Sequence, residues 1–235
     1  QDLLIQSLCG LTYTTGNEAD HPVPFGLAIA DMMCGAHVVQ GILAALIRRQ
    51  KSNNGALVEV SLLESILDFQ FELLTTYYHS GIQPQRSRVN NAHSLLSAPY
   101  GVYKTSDGCV AIAMMPLKDL SEALSIESLD RFHDQDGFSK RDEIKAEIAA
   151  FLSGKETSWC MKKLIDADVW AMPVMNWSEL VDHPAYKSLK MEMILQNGIV
   201  TTRCPLKIND TTLTSSRTAP TPGEHTSLIE KEFLL

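Results

Sequence analysis

The feature that most constrains this chain is a long and almost entirely apolar run, Leu27–Ile47. A run of this length is typical of either a membrane span or a buried helix. Three polar residues interrupt it, namely Asp31, His37 and Gln40, and such side chains are costly within a bilayer. We therefore expect a central helix over about residues 30–49 that is packed on several sides, and no association with a membrane.

The composition is that of a globular protein. The chain has 235 residues, of which 45% are hydrophobic and 20% are charged, which suits one large domain or two small ones. Its net charge is −8. This charge argues against nucleic acid as a partner, because phosphate binding needs clustered Lys and Arg.

The five cysteines are widely spaced and form no Cys-x-x-Cys pair. Their spacing argues against both a disulfide framework and a zinc site. No other metal-binding motif occurs in the sequence. We therefore expect free thiols in a reducing cytoplasm, and no metal cofactor.

A polar segment divides the predicted elements into two groups. Before it, a capping box at Ser61–Glu64 predicts a long helix that ends near Gly81, and Leu57–Val60 predicts a short strand. Residues 82–98 follow as a linker. After it, two alternating runs on either side of Asp107–Gly108 predict a β-hairpin.

Further helices are predicted at Leu117–Leu124 and Arg141–Leu152. Strands and helices are thus mixed along the chain. Periodicity alone indicates an α/β or α+β protein with an internal boundary in the linker.

Asp31 stands alone among apolar residues at the predicted start of the long helix. One interpretation is a helix cap, in which its oxygen accepts the N–H groups of the first turn. The other is a carboxylate that those N–H groups hold ionised and present to a ligand. Spacing alone favours the cap, and the two roles are compatible because a capped carboxylate is also oriented.

A set of short segments in a particular order carries a more specific signal. In chain order they are Gln1–Leu11, Pro22–Asp31, Gly41–Arg49, Val58–Ser65, Asn91–His93, Ala98–Gly108, Arg141–Ile144 and Ala219–His225. The ordered set resembles the CaiB/BaiF family, the family III CoA-transferases, over nearly the whole chain.

The resemblance implies a family III CoA-transferase fold, with part of a doubly wound α/β large domain and a smaller α+β domain. Residues 1–81 and 203–235 are expected in the large domain, 82–98 in the linker and 99–202 in the small domain. Family members carry a further N-terminal half that supplies most CoA contacts. This chain starts abruptly in a helix-like segment, so it is expected to lack that half, and its own CoA-binding residues stay unassigned. The resemblance also implies an interlocked homodimer.

The resemblance further implies transfer of CoA between small carboxylic acids, with acyl-CoA as a substrate. The family's nucleophilic aspartate falls on Asp31, which changes the balance for that residue from a cap to a catalytic role. The carboxylate attacks the thioester and passes through an aspartyl-CoA thioester, which splits one difficult exchange into easier steps.

Two other functions compete with transfer. The family also contains α-methylacyl-CoA racemases, in which a histidine thirty positions before the aspartate completes an acid–base pair. Gln1 occupies that position here, and an amide does not exchange a proton near neutral pH. The other alternative is an incomplete, non-catalytic subunit or fragment, because the N-terminal half is expected to be missing.

Four residues are expected to line the substrate site. Gln1 takes the place of the racemase histidine, and Asn91 and His93 match a family segment near the active site. Tyr100 lies just beyond that segment. By spacing alone His93 is a solvated loop histidine, so its place in the site comes from the resemblance.

Overall fold

The computed structural model describes residues 1–233 and has a mixed α/β architecture, as predicted. Within these residues the helices and strands fall into two compact units, Gln1–Val174 and the part that follows from Met175. The helices are α1 Asp2–Leu8, α2 Ile29–Ser52, α3 Leu62–Phe69, α4 Phe71–Ser80, α5 Leu117–Leu124, α6 Asp136–Ser139, α7 Arg141–Leu152, α8 Thr157–Asp166, α9 Trp177–Asp182, α10 Pro184–Leu189 and α11 Thr226–Phe233. The strands are β1 Gly101–Lys104, β2 Cys109–Ile112, β3 Ala171–Pro173, β4 Glu192–Ile194, β5 Val200–Thr202, β6 Lys207–Ile208 and β7 Thr211–Thr212.

The first part of the larger unit is a small helical cluster. α2 packs against α1 and α3, and the buried hydrophobic residues of the cluster are Leu11, Ala30 and Ile66. At Gly41 the backbone of α2 comes so close to the segment before α3 that an added Cβ would lie 2.6 Å from a methyl carbon of Val58. Even an alanine at this position would therefore force Val58 to shift.

The prediction that α2 is packed on several sides is wrong for the described chain. Ala30 is its one buried residue, and large apolar side chains such as Val39, Leu43 and Ile47 are more than half exposed. The reason is that α1 and α3 cover only one side of a 24-residue helix. By length and composition α2 could also cross a membrane, and 6% of its most apolar stretch is buried here.

Two predictions around α3 and α4 are also wrong in detail. The segment Leu57–Val60 is not a strand, because no strand of the described residues lies beside it to form a ladder. The helix that Ser61 caps through Glu64 N–H, at 3.1 Å, is interrupted at Gln70. The side-chain amide of Gln70 turns back and donates to the carbonyl of Ile66 at 3.2 Å.

Residues 82–98 form no helix or strand, but hydrogen bonds join them to the loop after α1 and to α7. The guanidinium of Arg86 donates to the carbonyls of Thr15 and Asp20 at 2.6 and 2.7 Å. From α7, Arg141 donates to the carbonyl of Ser94 at 2.7 Å. The buried ammonium of Lys145 donates to Ser87 Oγ at 3.0 Å and to a nearby carbonyl at 3.1 Å. The segment is therefore a fixed strap and not a loose connection.

The predicted hairpin is confirmed and anchors the main core. β1 and β2 pair antiparallel, with Tyr103 opposite Val110, and β3 adds to the free side of β2. Alternate residues of β1 and β2 are buried, as expected for a sheet with one covered face. They pack on α5, α7 and α8. The bounds of α5, Leu117–Leu124, and of α7, Arg141–Leu152, are those predicted from the sequence.

The smaller unit is built from short elements. A capping box between Asn176 and Glu179 starts α9, and Pro184 stands in the first turn of α10. Two hairpins follow, β4–β5 and β6–β7. The guanidinium of Arg203 donates to carbonyls at the end of α10, which fixes that helix to the first hairpin. The predicted assignment of residues 99–202 and 203–235 to different domains stays a prediction.

The buried ammonium of Lys145 gives the larger unit a pH-dependent stability. Burial, and next the neighbouring Arg141, lower the pKa of Lys145 to about 8 against the opposing effect of Asp142. An exposed lysine has a pKa of about 10.4. Between these values the unfolded chain binds more protons than the folded chain, so the free energy of unfolding rises with pH.

The variant Lys145→Met isolates this effect, because it keeps the length of the side chain and removes the charge. Chemical denaturation at about pH 7 and about pH 10 measures the free energy of unfolding of both proteins. The wild type is expected to gain stability relative to the variant as the pH increases. A difference between the two proteins that does not change with pH would contradict the lowered pKa of Lys145.

Candidate functional site

The candidate site begins at the N-terminus of α2, where Asp31 occupies the first turn. The helix starts after Ala28, which provides no side-chain cap. Asp31 is therefore not the N-cap residue, and the interpretation of its side chain as a helix cap is wrong. Its carboxylate is exposed, and among residues 1–233 it has no hydrogen-bond or ion-pair partner.

Asp2, from the start of α1, takes the capping role. One oxygen of its carboxylate, Oδ2, accepts the N–H of Ala30 at 2.7 Å and the N–H of Asp31 at 3.1 Å. Partial burial acts to raise the pKa of the Asp2 carboxyl, but hydrogen bonds from Gln6, Asp31 and Ala30 outweigh it and hold that pKa below its usual value. Asp2 is therefore a carboxylate near neutral pH.

Gln6 fixes both Asp2 and the loop before α2. Its side chain is 2% exposed, and its amide donates to the other oxygen of Asp2 and to the carbonyl of Leu27, at 3.1 Å for the latter. Its own carbonyl oxygen accepts the N–H of Phe25 at 2.8 Å. A single buried amide therefore joins the first turn of α1, the loop and the start of α2.

The helix terminus provides the electrostatics of Asp31. The aligned peptide dipoles of a long helix favour negative charge in the first turn, and α2 has 24 residues. Asp31 thus carries an exposed, unpaired carboxylate where an anion is favoured. Such a group can act as a nucleophile or as a base.

Asn91 and His93 lie together on the wall of a cavity of about 390 Å³. The side-chain amide of Asn91 is already used within the strap, since its oxygen accepts the N–H of Ser87 at 2.9 Å. The other walls come from the loop after α1 and from the junction of α3 and α4. They include Thr14, Phe25, Phe69 and Glu72.

The ring of His93 is oriented by two contacts. Nδ1 accepts the N–H of Leu95 at 3.3 Å, which leaves the proton on Nε2 in the neutral ring. Nε2 lies 3.6 Å from a carboxylate oxygen of Glu72. His93 is therefore a held side chain on a cavity wall, unlike the solvated loop histidine that its spacing suggested.

Tyr100 lies elsewhere, in an apolar cavity of about 540 Å³ over one face of the three-stranded sheet. Val102, Ala111 and Met172 contribute to this cavity from the three strands. Gln1 is exposed and precedes α1. The residues predicted for the site thus occupy three places: the start of α1 and α2, the cavity of Asn91 and His93, and the sheet face.

The sequence reasoning missed Asp2, Gln6 and Glu72. In the sequence Asp2 is an ordinary acidic residue in the first turn of its own helix. The N–H groups that it accepts, those of Ala30 and Asp31, lie 28 and 29 positions away along the chain. For Gln6 the one signal in the sequence is a glutamine among the apolar residues of a predicted helix, because a polar side chain that becomes buried needs hydrogen-bond partners. Among residues 1–233 no cluster of three or more His, Cys, Asp or Glu side chains could hold a metal ion.

Comparison with known proteins identifies the family. The family model described as CoA-transferase family III matches residues 1–226. The chain is 27% identical to succinate–glutarate CoA-transferase of Agrobacterium fabrum, over 99% of this chain and 60% of that protein. It is 25% identical to succinyl-CoA:mesaconate CoA-transferase of Haloarcula marismortui, over 98% of this chain and 58% of that protein.

The fold also agrees with a solved structure. A CaiB/BaiF family protein from Brucella suis superposes with a TM-score of 0.81 at 23% identity, over 98% of this chain and 62% of that one. The chain therefore spans about three fifths of the length of the relatives that it matches. The match of the family model over nearly all of its residues shows that this chain belongs to the family III CoA-transferases.

Proposed function

We propose that the protein is an acyl-CoA:carboxylate CoA-transferase in which Asp31 is the nucleophile. The observation that carries this proposal is the exposed carboxylate of Asp31 at the N-terminus of α2, which has no partner among residues 1–233. Family membership and the names of the relatives support the reaction class. Acetyl-CoA:oxalate CoA-transferase of Acetobacter aceti, at 25% identity, is a further transferase among them.

The proposed reaction starts with attack of an Asp31 oxygen on the thioester carbonyl of the donor acyl-CoA. An oxygen–carbon bond forms and the carbon–sulfur bond breaks, which gives a mixed anhydride and CoA thiolate. The thiolate then attacks the aspartyl carbonyl, which gives an aspartyl-CoA thioester and releases the donor as a carboxylate. Covalent catalysis of this kind divides one exchange into steps with lower barriers.

The second half of the reaction reverses these steps with another acid. The acceptor carboxylate attacks the aspartyl thioester, and CoA leaves as the thiolate. The thiolate attacks the acyl carbonyl of the acceptor, which gives the new acyl-CoA and restores the Asp31 carboxylate. None of these steps needs a metal or an external oxidant.

The substrates that we propose are small carboxylic acids and their CoA thioesters. Succinate, glutarate, mesaconate and oxalate in the names of the relatives make short dicarboxylates the first acids to test. Gln1, Asn91, His93 and Tyr100 are proposed to line the substrate site.

We also propose that the protein is a cytoplasmic homodimer with interlocked subunits. The exposed apolar residues of α2 support this, because contiguous apolar surface marks protein interfaces. The described cysteines are all free, which suits a reducing compartment.

Light scattering on the natural-length protein tests the assembly. The mass is expected to be twice that of one subunit, and replacement of Leu43 by aspartate should lower that mass by placing a charge in the interface. A protein that stays monomeric at micromolar concentration would contradict the proposed dimer.

Trapping of the covalent intermediate tests the role of Asp31. The natural-length protein is incubated with succinyl-CoA, treated with borohydride or hydroxylamine, and mapped by mass spectrometry. A modification on Asp31 is expected. Asp31→Asn should abolish the modification and lower kcat by about a thousandfold or more, because an amide is a poor nucleophile.

Asp68→Asn is the matched control, since it removes another exposed carboxylate of the same unit. It is expected to keep both the modification and the rate. Full activity of Asp31→Asn, or a label on another residue, would sink the proposal. Exchange of the α-proton of a 2-methylacyl-CoA in deuterated water, without transfer, would point to an isomerase.

A further inference from the structure

We infer that Asp2 is a positioning residue for this reaction: it caps α2 in place of Asp31 and so keeps the carboxylate of Asp31 free to attack. The inference rests on the proposed function, since it concerns the same nucleophile. It assigns a role to a residue outside the set that the resemblance indicated.

The argument starts from the N–H groups of the first turn of α2. These groups have no partner within a helix and must be satisfied from outside. Here the N–H of Ile29 donates to the carbonyl of Leu27 at 2.8 Å. The N–H groups of Ala30 and Asp31 both donate to one oxygen of Asp2, so no donor among these three is left for the Asp31 side chain.

Without Asp2, the same donors would lack an acceptor. An exposed carboxylate in the first turn is the nearest group that can supply one, because Asp side chains readily bond to nearby backbone N–H groups. Asp31 would then fold back onto its own helix. A carboxylate held in this way has fewer free lone pairs and points away from an incoming thioester.

Gln6 makes the arrangement rigid. Its amide donates to the second oxygen of Asp2, and through Phe25 and Leu27 it fixes the loop that enters α2. Because Gln6 is buried, its hydrogen bonds are sheltered from water and orient the Asp2 carboxylate. The oxygen that caps α2 therefore keeps one position.

The arrangement also divides two functions of the helix terminus between two carboxylates: one accepts the first-turn N–H groups, and the other stays free to react. The positive end of the dipole needs an anion, and Asp2 satisfies the donors directly. Asp31 still feels the same favourable field from its place in the first turn. One carboxylate is thus structural and the other chemical, although both belong to the same terminus.

The experiment compares three variants of the natural-length protein. Asp2→Ala removes the acceptor, and Asp2→Asn keeps one oxygen that can accept both N–H groups. Ser61→Ala is the matched control, since Ser61 caps α3 through Glu64 N–H. Loss of either cap is expected to lower the melting temperature.

The readouts are the rate of modification of Asp31 by succinyl-CoA in a single turnover, KM for succinyl-CoA, and the melting temperature. For Asp2→Ala we expect the rate to fall by about 10- to 100-fold, because small misplacement of a reacting group has effects of this size. KM should change by less than about twofold, as for a group that acts after binding. Asp2→Asn should recover part of the rate, because it keeps the acceptor for the two N–H groups and loses only the acceptor for Gln6.

The control decides between positioning and stability. Ser61→Ala is expected to lower the melting temperature as far as Asp2→Ala does and to leave the rate unchanged. An unchanged rate in Asp2→Ala, an equal loss in Ser61→Ala, or no recovery in Asp2→Asn would overturn the inference. If the wild type forms no adduct on Asp31, the proposed function itself has failed, and that result is seen before any variant is made.

Discussion

The hydrogen bonds from Ala30 and Asp31 to Asp2 are the interaction on which the rest of the site depends. They join the first turn of α1 to the first turn of α2, although 28 residues separate the partners. A helix that begins anywhere else would place Asp31 on another side or in another turn. The position of the proposed nucleophile is therefore fixed by a residue that takes no direct part in the proposed chemistry.

The two halves of the larger unit are held in different ways. Residues 98–171 enclose a closed apolar core around Tyr103, Val110 and Ile148. The helices α1 to α3 share a much smaller core, and they depend on buried polar side chains instead, of which Gln6 and Gln70 are examples. Polar contacts of this kind impose geometry more strictly than apolar contacts do, which suits the part of the chain that carries Asp31.

Local pattern was enough to predict much of the fold. The hairpin around Asp107 and the helix at Arg141–Leu152 follow from turn chemistry and periodicity, and both lie in the half with the closed core. The start of a helix near Asp31 was also predictable, because an acidic residue before a long apolar run is a local signal. The family followed from the order of segments.

The remaining features depend on long-range partners. Spacing alone favoured Asp31 as the cap of its own helix, and no local pattern shows that Asp2 takes this role instead. Leu57–Val60 has the composition of a strand, but a strand needs a neighbour to pair with. The cavity that joins His93 to Glu72 depends on the strap held by Arg86 and Arg141. Contacts of this kind are set by the tertiary structure, so periodicity does not reveal them.

A crystal structure of the natural-length protein, refined at a resolution that orders the carboxylates at the start of α2, tests the central claim most directly. The account predicts one oxygen of Asp2 at about 3 Å from the backbone nitrogens of both Ala30 and Asp31, with the Asp31 carboxylate free of intramolecular partners. An Asp31 side chain bonded to its own helix terminus, with Asp2 turned away, would contradict it.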